Sequence, residues 1–389
     1  MRRNLCFIAF MTAIIVSLTF SSAFTADKGK YSTTPQTKPN GEKWRIGYLE
    51  GGPYGNYQLY LKEIVEALGD LGWIQKTTVP SQRDPEDTRR MWAWIAANTR
   101  SKYIEFVADA HYSAKWDKKL RKKIKERVLR RLNQKKDIDF MIAMGTWAGQ
   151  DLANTHHSIP LTVVSCSDAS AAGIVKSVED SGFDHVHARL DPRRYERMVQ
   201  IFHDIIGFQR LGIAYENSRD GRSYASMDDV EKVAKECGFE IVHCHAVSDV
   251  ADPKIANDAL AKCHEVLAPK IDAMFLTTHS GMNPKNLPRL LAPLNEHKIP
   301  TFSQAGSRAV KYGVLLSIAT GSMKYAGRFH VEVMAKVFNG AKPRDLEQVY
   351  ESPPKIAINL ITAQTIEWDP PVDILGAADE IYQEIEVAK

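Results

Sequence analysis

The chain has 389 residues, of which 44% are hydrophobic and 25% are charged, and this length allows two packed cores. Its formal net charge is only +4, and two of the positive charges, Arg2 and Arg3, lie in a segment that we expect to be removed. This near-neutral balance argues against a nucleic-acid-binding protein, whose domains carry concentrated positive charge.

The N-terminus has the three parts of a secretory signal peptide. Two arginines precede a mostly apolar run from Leu5 to Phe20, and small residues follow it. We expect cleavage after Ala23, or as second choice after Ala26, so that the signal lies within residues 1–26 and the mature protein is periplasmic. A retained membrane anchor is the alternative, because the run approaches the roughly 17–20 residues that span a bilayer.

The next segment, residues 27–43, is rich in Ser, Thr, Pro, Lys and Gly and has no apolar period, which predicts a flexible tether. From residue 44 to residue 184, strands alternate with helices. Predicted strands are Arg45–Leu49, Tyr103–Val107, Phe140–Met144 and Leu161–Val164, and predicted helices are Tyr57–Leu71, a long helix that ends near Leu132, and Ala148–Asn154.

The same alternation returns over residues 185–345. Its predicted strands are Leu211–Tyr215, Glu240–Cys244, Ala273–Thr277 and Thr301–Ser303, and its predicted helices are Met227–Cys237 and Ile255–Leu267. Alternating strands and helices predict parallel sheets covered on both faces. We therefore expect an α/β fold of two Rossmann-like lobes joined by a hinge. Residues 346–389 form a C-terminal segment that we expect to return to the first lobe.

A strongly basic segment occupies residues 115–136. Its apolar residues recur every four positions, which predicts an amphipathic helix packed on the sheet: Trp116, Leu120, Ile124, Val128 and Leu132. A membrane-surface or nucleic-acid role is the alternative that the charge suggests. Interleaved acidic residues such as Asp117 and Glu126 favour the packed helix.

Candidate ligand-binding residues are those in the loops that follow the strands, because ligands of open α/β sheets gather at the carboxyl ends of strands. The candidates are Glu50, Tyr54, Tyr57, Thr146, Trp147, Ala148, Ser167, Asp168, Tyr215, Asn217, Thr277, Thr278 and Gln304. Thr146 and Ser167 are expected to donate hydrogen bonds, Asp168 to accept one from an ammonium group, and the aromatic residues to cover an apolar part of the ligand. Helix capping and core packing are the alternative roles for each of them.

Enzymatic and metal sites have little support. The sequence contains no GxSxG, GxxxxGK[ST] or HExxH motif, and its glycines do not space as GxGxxG. The histidine pairs His185–His187 and His243–His245 could clasp a metal from one strand face, but no carboxylate pattern accompanies them. We therefore expect no cofactor, no metal and no catalysis. Among the cysteines, Cys237 and Cys263 are the pair chosen to test for a disulfide.

Three stretches carry a resemblance to a known family. They are Ile138–Gln150, which includes Gly145-Thr146-Trp147-Ala148-Gly149-Gln150, then Ile159–Asp168 followed by Ala172–Val175, and Arg210–Asn217. With Ile271–Ala273, Ile299–Ser303 and Gly340–Pro343, they resemble the ABC-transporter substrate-binding family that includes the tryptophan-binding TrpX type. The resemblance covers roughly residues 44–365. Trp147 departs from it, because the family usually has a smaller residue there, and so does the long charged stretch 85–136.

The resemblance implies a type I periplasmic-binding fold, a hinge that closes on an amino acid or similar small solute, and delivery to an inner-membrane ABC permease. The positions that match the family's ligand contacts are Thr146, Ala148, Ser167, Asp168, Asn217 and Thr277. A monomer that binds no nucleic acid is expected. The alternative function is a ligand-sensing module of the same fold that signals to a membrane kinase or cyclase.

Overall fold

The computed structural model describes residues 31–84, 87–320, 323–351 and 354–388, which form two α/β lobes. The expected signal segment 1–26 lies outside the described residues. Within the described part of the chain, no helix is both long and apolar enough to cross a membrane.

The first lobe is built on a five-stranded sheet with the order β2-β1-β3-β4-β5, in which all neighbouring strands are parallel. The strands are β1 (Trp44–Glu50), β2 (Ile104–Ser113), β3 (Phe140–Met144), β4 (Leu161–Val164) and β5 (Val186–Ala188). Every residue of β3 is buried, because helices cover both faces of the sheet. The predicted strands of this lobe are confirmed, although β2 runs six residues further than expected.

Four helices pack on the first sheet: α1 (Gly55–Asp70), α2 (Thr88–Asn98), α3 (Lys118–Arg130) and α4 (Thr146–Leu152). The long helix expected up to Leu132 begins only at Lys118, because β2 occupies the chain as far as Ser113. Asp117 fixes its start: the carboxylate accepts the backbone N–H groups of Lys119 and Leu120 at 2.8 and 2.9 Å.

The second lobe carries a seven-stranded sheet with the order β12-β11-β10-β9-β8-β6-β7. Its strands are β6 (Arg210–Tyr215), β7 (Glu240–His245), β8 (Ala273–Leu276), β9 (Thr301–Ser303), β10 (Leu316–Thr320), β11 (Pro354–Asn359) and β12 (Ala378–Tyr382). Only the β10–β11 pair is antiparallel within the described residues. The predicted strands of this lobe are confirmed to within a residue at their ends.

The helices of the second lobe alternate with these strands. They are α5 (Arg194–Ile206), α6 (Arg219–Tyr224), α7 (Met227–Cys237), α8 (Pro253–Leu267), α9 (Leu287–Glu296) and α10 (Ser307–Lys311), with α12 (Leu360–Thr365) and α13 (Val372–Ala377) near the C-terminus. One further helix, α11 (Met323–Phe338), belongs to the first lobe. Its buried residues share a core with α1, in which Met334 and Phe338 join Leu61 and Ile64.

The C-terminal part of the chain therefore crosses between the lobes in a different place from the one expected. It enters the first lobe with α11 and leaves it again beside the hinge, where Leu190 and Val349 form an isolated parallel bridge. The segment 346–389, expected to return to the first lobe, instead supplies β11 and β12 to the second sheet. The antiparallel pairing of β11 with β10 holds it there.

The close packing of α11 on α1 depends on a glycine. A Cβ placed on Gly327 would lie 2.7 Å from the Cβ of Glu63, so any larger residue would push the two helices apart. At the end of α11, the ring of Phe338 lies 5.0 Å from that of Trp44, 5.2 Å from that of Trp73 and 5.5 Å from that of Phe140. This aromatic cluster ties α11 to the core of the first lobe.

Residues 31–43 of the expected tether are held against the first lobe. The indole N–H of Trp73 donates to the carbonyl of Thr33 at 3.0 Å, and the Asn339 amide donates to the carbonyl of Thr34 at 3.1 Å. The ammonium of Lys38 lies 2.7 Å from the carboxylate of Asp139. Residues 31–43 are therefore docked on the first lobe, because side chains from distant segments pair with their backbone, which composition alone does not reveal.

A disulfide joins Cys244, on β7, to Cys263, on α8, with a Cα–Cα distance of 5.5 Å. The expected pairing of Cys263 with Cys237 is wrong. Cys244 and Cys263 come together because β7 and α8 are adjacent, whereas Cys237 lies at the end of α7. Residues 244 and 263 enclose the β7–α8 loop, and part of that loop faces the other lobe.

Candidate ligand-binding site

A cleft between the lobes is lined by loops at the carboxyl ends of strands from both sheets. The first lobe contributes Tyr54, Tyr57, Trp116, Thr146, Ser165 and Ser167, and the second contributes Tyr224, Ser248, Asp249, Thr278, His279 and Ser280. The cavity measures about 40 Å³. The ligand pockets of proteins typically have volumes of roughly 300–1,000 Å³. The much smaller volume here indicates that the two lobes are in a closed arrangement.

Direct hydrogen bonds between the lobes agree with a closed cleft. The Gln150 amide of the first lobe donates to the Asp220 carboxylate of the second lobe at 2.8 Å. The Ser223 hydroxyl of the second lobe donates to the Asp168 carbonyl of the first at 3.2 Å. A solute of more than a few atoms therefore enters only when the lobes separate.

Aromatic side chains of the first lobe form one wall of the cleft. The rings of Tyr54 and Tyr57 meet edge to face at 5.2 Å, and burial raises the pKa of Tyr54 to about 12. Tyr57 lies against the backbone at Gly145, where a Cβ would collide with its phenol and where φ is +84°. The glycine that ends β3 thus makes room for the aromatic wall.

Trp116 completes this wall from the short loop between β2 and α3. Its indole N–H donates to the carbonyl of Pro53 at 2.8 Å, and its ring meets the ring of Trp147 edge to face at 5.3 Å. Its own φ is +56°, a left-handed conformation that a large side chain rarely adopts. These contacts hold the indole at the cleft in spite of the strained backbone, and such strain is concentrated at functional sites.

Asp249 is the acidic side chain among the residues that line the cleft. It follows β7, it is 6% exposed, and its carboxylate accepts a hydrogen bond from the Tyr224 phenol at 2.9 Å. Burial raises its pKa to about 7, and the nearby carboxylates of Glu216 and Asp220 act in the same direction. A buried carboxyl with no cation beside it favours a ligand that brings a positive charge.

A second buried carboxyl, Glu50, lies behind the aromatic wall and does not line the cleft. The Tyr48 phenol donates to its carboxylate at 2.8 Å and the Thr88 hydroxyl donates at 2.6 Å. Burial raises the pKa of Glu50 to about 7, although these hydrogen bonds oppose the shift. Glu50 thus holds the end of β1 in place through its own partners.

The expected hydroxyl donors lie at the cleft. Thr146 begins α4 and contacts the Cys166 sulfur at 3.4 Å, and Ser167 lies beside the Tyr195 phenol. In the second lobe, the Thr278 hydroxyl lies beside the Tyr54 phenol across the cleft. Five of the expected residues therefore come together: Tyr54, Tyr57, Thr146, Ser167 and Thr278.

Other expected residues support the site from behind. Gln304 accepts the Thr278 backbone N–H at 3.0 Å and donates to the Tyr224 carbonyl at 2.8 Å, so it joins two loops of the cleft. Thr277 donates to the Ala214 carbonyl at 2.8 Å. Trp147 is buried under the guanidinium of Arg121, 4.5 Å from its ring centre, and its indole N–H lies beside the Asp249 carboxylate, whose pKa it acts to lower.

The remaining expected residues lie elsewhere. The side chain of Ala148 packs in the core of the first lobe, and Tyr215 packs in that of the second. Asn217 is exposed. The Asp168 carboxylate accepts the backbone N–H groups of Ser170 and Ala171, both at 2.8 Å, so it closes a turn and lies outside the cavity. These side chains do not reach the cleft.

Sequence reasoning missed Asp249, Tyr224 and Trp116. Ser248 and Asp249 lie in the loop that follows the parallel strand β7. Because ligands gather at the carboxyl ends of such strands, this loop was a candidate on the same grounds as the others. Tyr224 ends the short helix α6, and its phenol is directed by a hydrogen bond to Asp249, a long-range contact that the sequence does not reveal. No sequence signal predicts the left-handed backbone of Trp116.

No three His, Cys, Asp or Glu side chains of the described residues lie together where they could hold a metal. The cleft presents hydroxyls, aromatic rings and one buried carboxyl, which are groups able to hydrogen-bond to and pack against a polar solute. Its position between two Rossmann-like lobes defines the class: a solute-binding protein with a type I periplasmic-binding fold.

Comparison with known proteins identifies the family. The family model described as ABC transporter substrate binding protein matches residues 100–381, and the chain belongs to this family. Its members are solute-binding proteins and not enzymes. A curated relative, the tyrosine-binding protein of Clostridioides difficile strain R20291, is 25% identical over 201 residues, which are 50% of this chain and 54% of the relative. The match therefore spans about half of the relative's length.

Two solved structures share the fold. One is a conserved domain protein of Vibrio cholerae, with a TM-score of 0.68, 16% identity and coverage of 87% of this chain and 100% of the other. The second is an ABC domain of Streptococcus pneumoniae in complex with L-Trp, with a TM-score of 0.65, 18% identity and coverage of 86% and 99%. The expected fold class and family are confirmed.

Proposed function

We propose that the chain is the periplasmic receptor of an ABC importer, which closes on an aromatic amino acid and delivers it to an inner-membrane permease. In this proposal residues 1–26 direct export and are removed, and the mature protein acts as a monomer. The observation that carries the proposal is the buried Asp249 carboxyl in the interlobe cleft, faced by aromatic rings and hydroxyls. Membership of the substrate-binding family supports the transport role.

Asp249 would bind the ammonium group of the solute. In the closed cleft, burial disfavours its charged form, and no positively charged side chain is among the residues that line the cavity. An ammonium group would supply the missing charge and restore the carboxylate, because an opposite charge within about 4–6 Å favours the ionised form. The Tyr224 phenol would keep the carboxylate oriented.

The carboxylate of the solute would lie against the first turn of α4 and the nearby hydroxyls. The backbone N–H groups of Thr146, Trp147 and Ala148 donate no hydrogen bond to any described residue. Unpaired donors at the start of a helix favour an anion. In this arrangement Ala148 contributes its backbone, while Thr146 and Ser167 add hydroxyl donors.

The aromatic wall would accept the side chain of the solute. Tyr54, Tyr57 and Trp116 offer ring faces and edges that suit an aromatic ring, with favourable centroid distances of roughly 4.5–7 Å. The names of the tyrosine-binding relative and of the complex with L-Trp agree with such a ligand. Binding would start from an open state, and the solute would shift the population toward the closed one because it contacts both lobes.

A thermal-shift panel tests this function. Mature protein, unfolded and refolded to strip bound solute, is screened against the twenty amino acids, sugars, nucleosides and small acids. We expect L-tryptophan or L-tyrosine to raise the melting temperature, since a ligand at about 100 times its Kd stabilises the fold by roughly 2.7 kcal/mol. A response to sugars or nucleosides alone, with none to any amino acid, would contradict the proposal.

A further inference from the structure

The most basic surface of the molecule is not used by the proposed solute site. Residues 115–136 contain twelve Lys or Arg residues and two acidic ones, a net charge of +10, whereas the whole chain carries +4. The structure places most of this segment on α3, which packs on the first lobe through Ile124 and Val128, and Leu132 in the turn after α3 joins the same core. The packed helix predicted from the sequence is confirmed, but its charge has no role in that packing.

The charges of α3 are gathered on one face. The basic face consists of Lys118, Lys119, Lys122, Lys123, Arg127 and Arg130, and all six side chains are exposed. Spacings of one, three and four residues place them on the same side of a helix, opposite the apolar stripe. Glu126 is the acidic residue on that face, and a helix of 13 residues is about 20 Å long.

The basic face is only weakly neutralised by the protein itself, through electrostatic attractions such as that between Lys118 and Glu216. None of its six cations forms an ion pair with a described residue, and Arg127 only lies over the Tyr112 ring at 5.5 Å. By contrast, the cations on the sides of the segment are paired: Arg121 with Asp151, and Arg131 with Asp109 and Asp137. The unpaired charges are therefore those directed at the solvent.

We propose that the basic face of α3 binds the anionic phospholipid surface of the membrane. Lysine is depleted at protein–protein interfaces, which rely on aromatic and apolar residues at their centre, and the basic face has none of these. Clusters of four to eight Lys or Arg on an amphipathic helix suit anionic headgroups, because each cation adds to the attraction. Such binding would hold the receptor close to the permease to which it delivers.

Vesicle co-sedimentation of the mature protein tests this surface. Wild-type protein is mixed with phosphatidylcholine–phosphatidylglycerol vesicles and with pure phosphatidylcholine vesicles. We expect sedimentation with the anionic vesicles alone, and its loss at about 1 M salt, where the Debye length is about 3 Å. The variant K118Q/K119Q/K122Q/K123Q is expected to bind the anionic vesicles more than ~10-fold more weakly.

The matched control removes the same charge from the second lobe. The variant K235Q/K262Q/K270Q/K285Q changes four exposed lysines and is expected to bind vesicles within a few-fold of wild type. Melting temperature and solute affinity verify that both variants are folded. Equal loss in both variants, or no wild-type binding to anionic vesicles at low salt, overturns the proposal. If the wild type does not bind anionic vesicles, the next candidate for the basic face is an acidic surface of a protein partner.

Discussion

Replacing Asp249 by Asn is expected to weaken solute binding by at least ~30-fold, because truncating one partner of a buried charge pair costs about 2–5 kcal/mol. The carboxylate lies in the closed cleft and is 6% exposed, so water cannot replace the lost charge. Titration calorimetry with the solute found in the panel measures the change. The melting temperature of the solute-free variant should not fall, since the burial of a charge disfavours the ionised wild-type side chain.

The control for this variant is Asp228→Asn, which removes a carboxylate whose side chain is 80% exposed in the same lobe. Its affinity for the solute should equal that of the wild type. Undiminished binding by the Asp249→Asn protein would exclude Asp249 as the partner of the ammonium group.

Asp249 also predicts opposite pH trends for binding and for stability. Solute affinity should fall as the pH drops through the pKa of the Asp249 carboxyl in the solute-free protein, because the protonated carboxyl no longer attracts an ammonium group. The stability of the solute-free protein should instead rise as the pH drops. Burial raises the folded-state pKa of Glu50 to about 7, and that of Asp249 to about 7 where the lobes are closed, so their contribution is fully present below the unfolded values and is lost as the pH rises through about 7. Asp249→Asn should flatten the pH dependence of affinity.

Replacing Phe338 by Ala is expected to lower the free energy of unfolding by about 3–5 kcal/mol, the range observed for buried phenylalanine. Phe338 ends α11, is 3% exposed, and packs against Trp44, Trp73 and Phe140. Its loss removes the contact by which the C-terminal part of the chain is anchored in the first lobe. Denaturant unfolding followed by tryptophan fluorescence measures the effect.

Tyr325→Ala is the matched control on the same helix, because its ring is 59% exposed. Exposed substitutions usually change the stability by less than about 0.5 kcal/mol. A loss below about 1 kcal/mol in the Phe338→Ala protein would show that α11 does not contribute to the core of the first lobe in the way the structure indicates.

Four strands of each lobe could be predicted because buried parallel strands are short apolar runs, whereas β5, β10 and β12 were not predicted. Phe140–Met144 and Leu211–Tyr215 are examples of such runs. The path of the C-terminal part could not be predicted, because α11 and β11 have ordinary patterns and their lobe is decided by long-range packing, such as the approach of Gly327 to Glu63. The docking of residues 31–43 depends in the same way on distant side chains.

The candidate site was predictable where loop position alone decides it. Thr146, Ser167 and Thr278 lie at the cleft because they directly follow parallel strands. Asn217 also follows a strand, yet its side chain is directed to the solvent. Asp168 illustrates a different difficulty, since the carboxylate chosen for an ammonium group is used by its own turn. Local hydrogen bonds compete with ligand contacts for the same residue types.

The most direct test of closure on a solute is small-angle X-ray scattering from stripped protein, with and without a saturating amount of the solute found in the panel. The interlobe bonds Gln150–Asp220 and Ser223–Asp168 belong to a closed molecule. We predict that the solute-free protein is more extended than the structure described above and that the solute produces the scattering curve of that structure. A solute that binds without changing the curve would contradict a hinge-closing receptor.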